Sequence, residues 1–310
     1  MARKRVGQLG WLDAAVEKRA GARRDKLSEI AALVDWSRFE ALLSGIHSSR
    51  RGEAAYPPLL MLKVMLLQRW YGLSDPGMEE ALADRLSFRR FAGLSLEDAT
   101  PDHSTIWRFR EHLARRGVMD RLLAELTAQL DGRGLLVKQG TLIDASLVSS
   151  AARRPRVSED KISRVDPDAR FGSNNERRRY QFGYKLHLAV DGGSGLVRQV
   201  RVTPANVQEI DLAVCLVQGD EQAVYADRGY DARRLHDHLA GLGIADGVMR
   251  RRRGKAPLSE AQRLHNNALS LKRRPVEKVF GTLKRSYRLA RLPYFNQARN
   301  SLALTLACFA

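Results

Sequence analysis

The sequence predicts two domains, an all-α amino-terminal domain over residues 1–130 and an α/β domain over residues 131–310. Three observations carry this expectation. Apolar residues recur at helical spacing from Leu27 to Leu130, Asp131, Gly132, Arg133 and Gly134 interrupt the pattern, and the apolar period then shortens to that of strands. A chain of 310 residues can bury two cores of ordinary size.

In the first part, Pro57 and Pro58 open an apolar stretch that continues to Trp70, and Gly72, Ser74, Asp75, Pro76 and Gly77 break it. A further helix is expected over residues 78–91. Ser104 is placed to cap another that carries Ile106, Trp107, Phe109 and Leu113, and residues 119–130 close the region. Short helices of this kind can place one helix in a DNA groove.

In the second part, residues 135–137 and 141–148 read as strand, and the charged, polar residues 149–179 read as a flexible loop. Residues 184–190 and 196–203, joined by Asp191, Gly192, Gly193, Ser194 and Gly195, form an expected hairpin. Helix is expected over 210–217 and 232–242, strand over 223–226 and 244–249, and helix again from Pro275 onward.

The 53 Lys and Arg outnumber the 35 Asp and Glu by 18. Residues 1–130 hold 21 basic and 17 acidic side chains, a net of +4, so residues 131–310 carry the other +14. Basic clusters fall at Arg153, Arg154 and Arg156, at Arg177, Arg178 and Arg179, at Arg250, Arg251, Arg252 and Arg253 with Lys255, and at Lys272, Arg273 and Arg274. Recurring clusters favour phosphate neutralisation, with double-stranded DNA the leading partner. Two cysteines without close Cys or His neighbours give neither a disulfide framework nor a zinc site. The longest apolar run, residues 59–67 broken by Lys63, is far short of the ~20 residues that span a bilayer. The first five residues lack the apolar core of a secretory signal, so a cytoplasmic, nucleoid-associated protein is expected.

Three carboxylates stand in settings that suggest chemistry. Asp144 lies inside an apolar strand, where it needs a cation or strong donors unless a bent edge strand turns it to water. Asp227 directly follows the strand 223–226, where ligands gather in open α/β sheets; its bland role, capping the next helix, suits Asp231 better. Glu277 alone reads as a solvated partner of its basic neighbours. However, Arg273 four residues before it and Lys284 seven after it share its helical face, and Pro275 sets it near the helix start. Oxygen ligands of this kind suit magnesium or manganese, and two such ions about 4 Å apart support in-line displacement at phosphorus.

These residues sit in a longer series of motifs. Tyr71-Gly72-Leu73-Ser74-Asp75, Leu86-Ser87-Phe88-Arg89-Arg90-Phe91 and Pro101-Asp102-His103-Ser104-Thr105 occur in the helical part. Gly140-Thr141-Leu142-Ile143-Asp144-Ala145, Phe182-Gly183-Tyr184-Lys185-Leu186-His187, Val202-Thr203-Pro204-Ala205-Asn206, Ala226-Asp227-Arg228-Gly229-Tyr230 and residues 276–285 follow in order. In that order the sequence resembles the DDE transposases of bacterial insertion sequences, specifically the group named for the fifth numbered element, over residues 33–309. The resemblance implies a ribonuclease H-like catalytic domain after a helical DNA-binding domain, and the terminal inverted repeats of a mobile element as substrate. It implies Asp144, Asp227 and Glu277 as catalytic ligands of two Mg2+ or Mn2+ ions, DNA contacts by Arg273, Lys284 and Arg250 to Arg253, and a homodimer or higher multimer on DNA. Related sequences often carry Tyr where this one has Ser270, and commonly continue past an apolar final helix where this one ends at Ala310. Two rival readings remain: a metal-dependent nuclease that cuts without joining, and a shortened, inactive descendant that binds ends without cutting.

The charge of residues 131–310 generates a prediction. If about six phosphates are neutralised, log K for duplex DNA falls with log salt at a slope near −5. A filter-binding or anisotropy titration across salt concentrations measures it, and salt-insensitive binding would assign the charge another purpose.

Overall fold

A computed structural model describes residues 4–20, 25–46, 54–155, 162–174, 179–254 and 256–310. Arg156, Arg177, Arg178 and Lys255 lie outside the described residues, as does the side chain of Arg179. The chain folds as two compact units, Met1–Gln129 and Leu130–Phe309.

The first unit is helical: α1 (Trp11–Ala20), α2 (Lys26–Leu33), α3 (Trp36–Leu43), α4 (Pro58–Tyr71), α5 (Asp75–Asp84), α6 (Leu86–Ala92), α7 (His103–Arg116) and α8 (Met119–Gly132). Side-chain caps set several of the starts. Asp25, Asp35, Ser74 and Asp102 accept from the backbone N–H of Ser28, Ser37, Gly77 and Thr105 at 2.7, 3.1, 3.2 and 2.6 Å, satisfying donors the helix leaves free. Asp102, not Ser104, therefore caps α7. The single helix expected over 78–91 is two helices, because extended Arg85 (φ −101°, ψ 110°) separates α5 from α6. Gly72 ends α4 in the left-handed region (φ 64°), where a Cβ would add strain. Leu62 and Leu66 of α4, Met78 and Leu82 of α5, Phe88 of α6 and Ile106 of α7 are buried in the core of this unit.

The second unit is a six-stranded mixed sheet with helices: β1 (Thr141–Ser149), β2 (Arg170–Asn174), β3 (Arg179–Asp191), β4 (Val197–Pro204), α9 (Glu209–Ala213), β5 (Ala223–Ala226), α10 (Arg233–Gly241), β6 (Ala245–Val248), α11 (Glu260–Lys272), α12 (Arg274–Arg285) and α13 (Gln297–Phe309). β3 pairs antiparallel with β1, β2 and β4, whereas β5 runs parallel to both β1 and β6. Ile143, Ala189, Val224 and Ala226 of the sheet pack with Ala213 of α9 and with Leu235 and Leu239 of α10 in one buried cluster.

One detail of register positions the site. β1 pairs with β5 through three residue pairs only, ending at Ile143 with Ala226. β5 stops there while β1 continues to Ser149. That edge of β1 is next engaged at Ser149, whose N–H donates to Ala290 O (3.1 Å) and whose carbonyl accepts from Leu292 N (2.8 Å). Residues 144–148 thus face a notch in the sheet.

Three expectations for this unit need correcting. Residues 135–137 are not strand; the Val137 and Lys138 N–H groups donate to the Asp191 carboxylate at 3.2 and 2.8 Å, a side chain taking the place of a ladder. The stretch 149–179 is not wholly loop, because it contains β2 and because buried Asp166 accepts from Ser150 Oγ, Tyr184 Oη and Asn296 N. α11 was not expected at all, although Ser259 and Gln262 cap its start reciprocally at 3.2 and 3.0 Å.

In the helical unit a half-buried polar network ties α4, α5 and α7. The Arg110 guanidinium binds both oxygens of Asp75 and donates to Gln68 Oε1 at 3.0 Å, while Gln68 Nε2 donates to Asp75 Oδ1 at 2.6 Å. Burial alone would raise the Asp75 carboxyl, but the hydrogen bonds from Arg110 and Gln68 outweigh it and hold it below the usual range. Stability from this pair is present above the unfolded carboxylate value of about 4 and lost as pH falls through the depressed folded value. Asp75→Ala should cost about 3 kcal/mol at neutral pH, since it strips Arg110 of its bidentate partner. Urea unfolding measures this, and a loss well under 1 kcal/mol would show, on the scale of exposed pairs, that the network is solvent-screened.

Candidate active site

The last strand pair of β1 and β5 fixes the geometry. Asp144 follows Ile143 in β1 and Asp227 follows Ala226, the partner of Ile143 in the parallel register, and Asp227 is among the charges that act on Asp144. Asp144 remains in β1, and its Oδ1 accepts from Ala145 N at 2.8 Å. Asp227 caps a short 3-10 turn by accepting from Gly229 N at 2.8 Å. The helix expected to be capped by Asp231, α10, starts after Ala232 without a side-chain cap, and Asp231 instead binds His236 Nε2 (2.9 Å) and Arg251 N (2.7 Å).

A third carboxylate, Glu209 at the start of α9, joins the two aspartates. A Cβ added at Gly229 would stand 3.0 Å from Asp227 Oδ1 and 3.0 Å from Glu209 Oε2. Two oxygens each 3.0 Å from one point are at most 6.0 Å apart, twice that distance. The absence of a side chain at Gly229 leaves this gap open. Glu209 Oε1 is held by Lys185 Nζ at 3.4 Å. Sequence reasoning missed Glu209, because a Glu at the start of a short helix carries no distinctive signal.

Two cations answer the three carboxylates. Arg273, the residue before α12, pairs with Asp144 (Nη2 to Oδ2, 3.0 Å), both side chains being largely buried at 14% and 17% exposure. Burial nevertheless pushes the Asp144 carboxyl up to about 7; Arg273 lowers it, and Asp227 and Glu209 raise it again. Burial also raises Glu209, with Lys185 opposing and Asp227 adding to the rise. The Tyr230 hydroxyl is fully buried, has no hydrogen-bond partner among the described residues and lies in the field of Glu209, Asp144 and Asp227. Leaving such a group unsatisfied costs about 1–3 kcal/mol.

Glu277 lies in the first turn of α12, exposed and with no hydrogen bond or ion pair among the described residues. Its helix is anchored at the notch: Arg273 reaches Asp144 before the helix, and Lys284 Nζ donates to Ser146 Oγ at 2.6 Å near its end. At 3.6 residues per turn, Glu277 lies within about 40° of both on the helix surface. Asp144 and Asp227 are brought together, and among the described residues no hydrogen bond or ion pair joins the exposed Glu277 to either. Among the described residues no three His, Cys, Asp or Glu side chains stand at metal-holding spacing.

Of the four arginines expected on DNA, Arg250 is engaged internally. Its Nη2 binds Asp246 at 2.9 Å, and its N–H donates to Asn266 Oδ1 at 2.8 Å. Arg251, Arg252 and Arg253 are exposed and, with Arg250, Asp231 and His236, line a cleft of about 380 Å³. Arg253 reaches Asp231 at 3.5 Å.

The raised carboxyl of Asp144 has a consequence for stability. Its folded value of about 7 lies above the unfolded value of about 4, so between them the folded state binds more protons. Stability should therefore fall by a few kcal/mol as pH rises through that window, in the absence of divalent ions. Asp144→Asn should flatten the fall when urea midpoints at about pH 5 and about pH 8 are compared, since Asn does not titrate. Equal pH dependence in both proteins would show that Asp144 titrates normally.

Comparison with protein families matches residues 15–112 to a transposase domain and residues 136–310 to the transposase DDE domain. The second match covers more than half of the chain and spans β1, β5 and α12. The mixed sheet after a helical region is the ribonuclease H-like arrangement of that domain, and such transposases generally use divalent metal ions. No helix among the described residues is long and apolar enough to cross a membrane. The chain belongs to the DDE transposases of insertion-sequence type, enzymes that act on DNA.

Proposed function

We propose that this protein binds the terminal inverted repeats of an insertion sequence and catalyses metal-dependent cleavage and strand transfer at its ends. It falls in the group named for the fifth numbered element and acts in the cytoplasm on nucleoid DNA. Asp144, Asp227 and Glu277 would hold two Mg2+ or Mn2+ ions. The reading is carried chiefly by Asp144 and Asp227 brought together where β5 stops and β1 continues, with the helix of Glu277 anchored over that edge by Arg273 and Lys284. The donor chemistry suits such ions, although no three of these side chains stand at ligating spacing among the described residues: the donors are all oxygen, the Gly229 gap separates two of them, and the Tyr230 hydroxyl is buried without a partner among the described residues.

When bound, the ions would activate a water or a sugar hydroxyl and stabilise the leaving oxygen of an in-line displacement. The chain's own residues prepare that event. Arg273 pairs with Asp144 beside the place the ions would occupy, and its guanidinium would be the group there to meet DNA phosphate. Lys284 fixes α12 against β1 through Ser146 and presents positive charge beside the notch. Arg251, Arg252 and Arg253 receive flanking phosphates at their cleft, with Arg250 holding that segment through Asp246. The helical unit supplies binding to the repeats, and a homodimer or higher multimer brings both ends together.

Asp227→Asn and Glu277→Gln should each abolish cleavage of end DNA while leaving its binding intact, because each removes a ligand charge without touching the basic surface. Cleavage that survives excess chelator would overturn the metal requirement, and wild-type cleavage by Glu277→Gln would remove it as third ligand. Cleavage without joining to a target duplex would reduce the protein to a nuclease.

A further inference from the structure

We propose that Glu209 supplies a fourth carboxylate to the divalent-ion site of Asp144 and Asp227, entering from α9 while Glu277 enters from α12. The inference rests on the reading of Asp144 and Asp227 as ion ligands. Its first support is directional. Lys185 holds Oε1 of Glu209, and the other oxygen, Oε2, is the one turned to Gly229 and Asp227. With at most 6.0 Å between Glu209 Oε2 and Asp227 Oδ1, one cation can be reached by both, directly or through a water of the kind magnesium keeps.

The second support is the Tyr230 hydroxyl. It is wholly buried, without a partner among the described residues, and exposed to the fields of Glu209, Asp144 and Asp227 alike. An ion brings ordered water to such a place and with it an acceptor for this hydroxyl. The third is charge. Three carboxylates at the notch meet three cations, Arg273, Lys185 and Lys284, so with Glu277 counted the cluster carries an excess of negative charge. A counter-ion for Lys185 alone would not need to stand beside Asp227.

Mn2+ binding to the full chain without DNA, measured by calorimetry, tests this. Glu209→Gln should weaken Mn2+ binding about tenfold or more, the range seen when groups supporting a metal site are removed. Glu209→Asp, which withdraws the carboxylate by one methylene, should weaken it less. Gly229→Ala should also weaken it, since its methyl would stand 3.0 Å from both carboxylate oxygens while leaving the Lys185 pair in place. Melting of the metal-free proteins is recorded alongside, and if Glu209→Gln fails to fold, the other two variants decide. Loss of melting temperature with wild-type Mn2+ affinity would make Glu209 a structural partner of Lys185 and overturn the proposal. If Asp144→Asn loses Mn2+ and the Glu209 and Gly229 variants keep it, only the role of Glu209 falls; if Asp144→Asn also keeps it, the underlying ion site falls as well.

Discussion

Asp144 and Asp227 each directly follow the last residue pair of two parallel strands, and their like charges must then be held near each other where β5 stops and β1 continues. Burial and repulsion both oppose ionisation of Asp144, and the ion pair with Arg273 does not offset them. Much of the surrounding structure answers this strain. Lys185 restrains Glu209, and Lys284 ties α12 to Ser146. Structures of this kind give up some stability to keep charges poised, and the site is where that cost is concentrated.

The parts of the fold readable from sequence were those governed by local chemistry. The hairpin of β3 and β4 follows from the Gly-rich turn after Asp191, and β5 from a short apolar run between polar flanks. That Asp144 lies within an apolar strand and Asp227 directly after one was likewise visible. What could not be read depended on distant partners. Glu209 gains its setting from Lys185 and Asp227, residues 24 and 18 positions away in the chain, counted from the numbering. β2 and the buried Asp166 hide in a polar stretch because their bonding groups, Tyr184 and Asn296, arrive from β3 and from the segment before α13.

The run from Arg250 to Arg253 shows how a uniform sequence can divide its labour. Arg250 is drawn inward by Asp246 and Asn266, and its neighbours are left exposed around the cleft. Asp231 supports the same segment by accepting from the Arg251 N–H. A charge run reads as one surface from composition, yet here one member anchors the others. His236, between Asp231 at 2.9 Å and Asp246 at 2.8 Å, links the two acidic anchors.

The brevity of β5 reaches beyond sheet architecture. Had β5 continued two residues past Ala226, its backbone would have zipped along the open edge of β1 and consumed the space that the carboxylates share. The turn at Asp227, Arg228 and Gly229 halts the strand at that point, and Asp227 both ends the pairing and becomes the first group beyond it. Unpaired strand edges ordinarily invite aggregation and are hidden by a covering element. In this domain α12 lies across the gap, so the device that shields a vulnerable edge is also the one that delivers Glu277. Lengthening β5 would extend the sheet at the expense of the space between the carboxylates, so the length of one strand sets how much room they share.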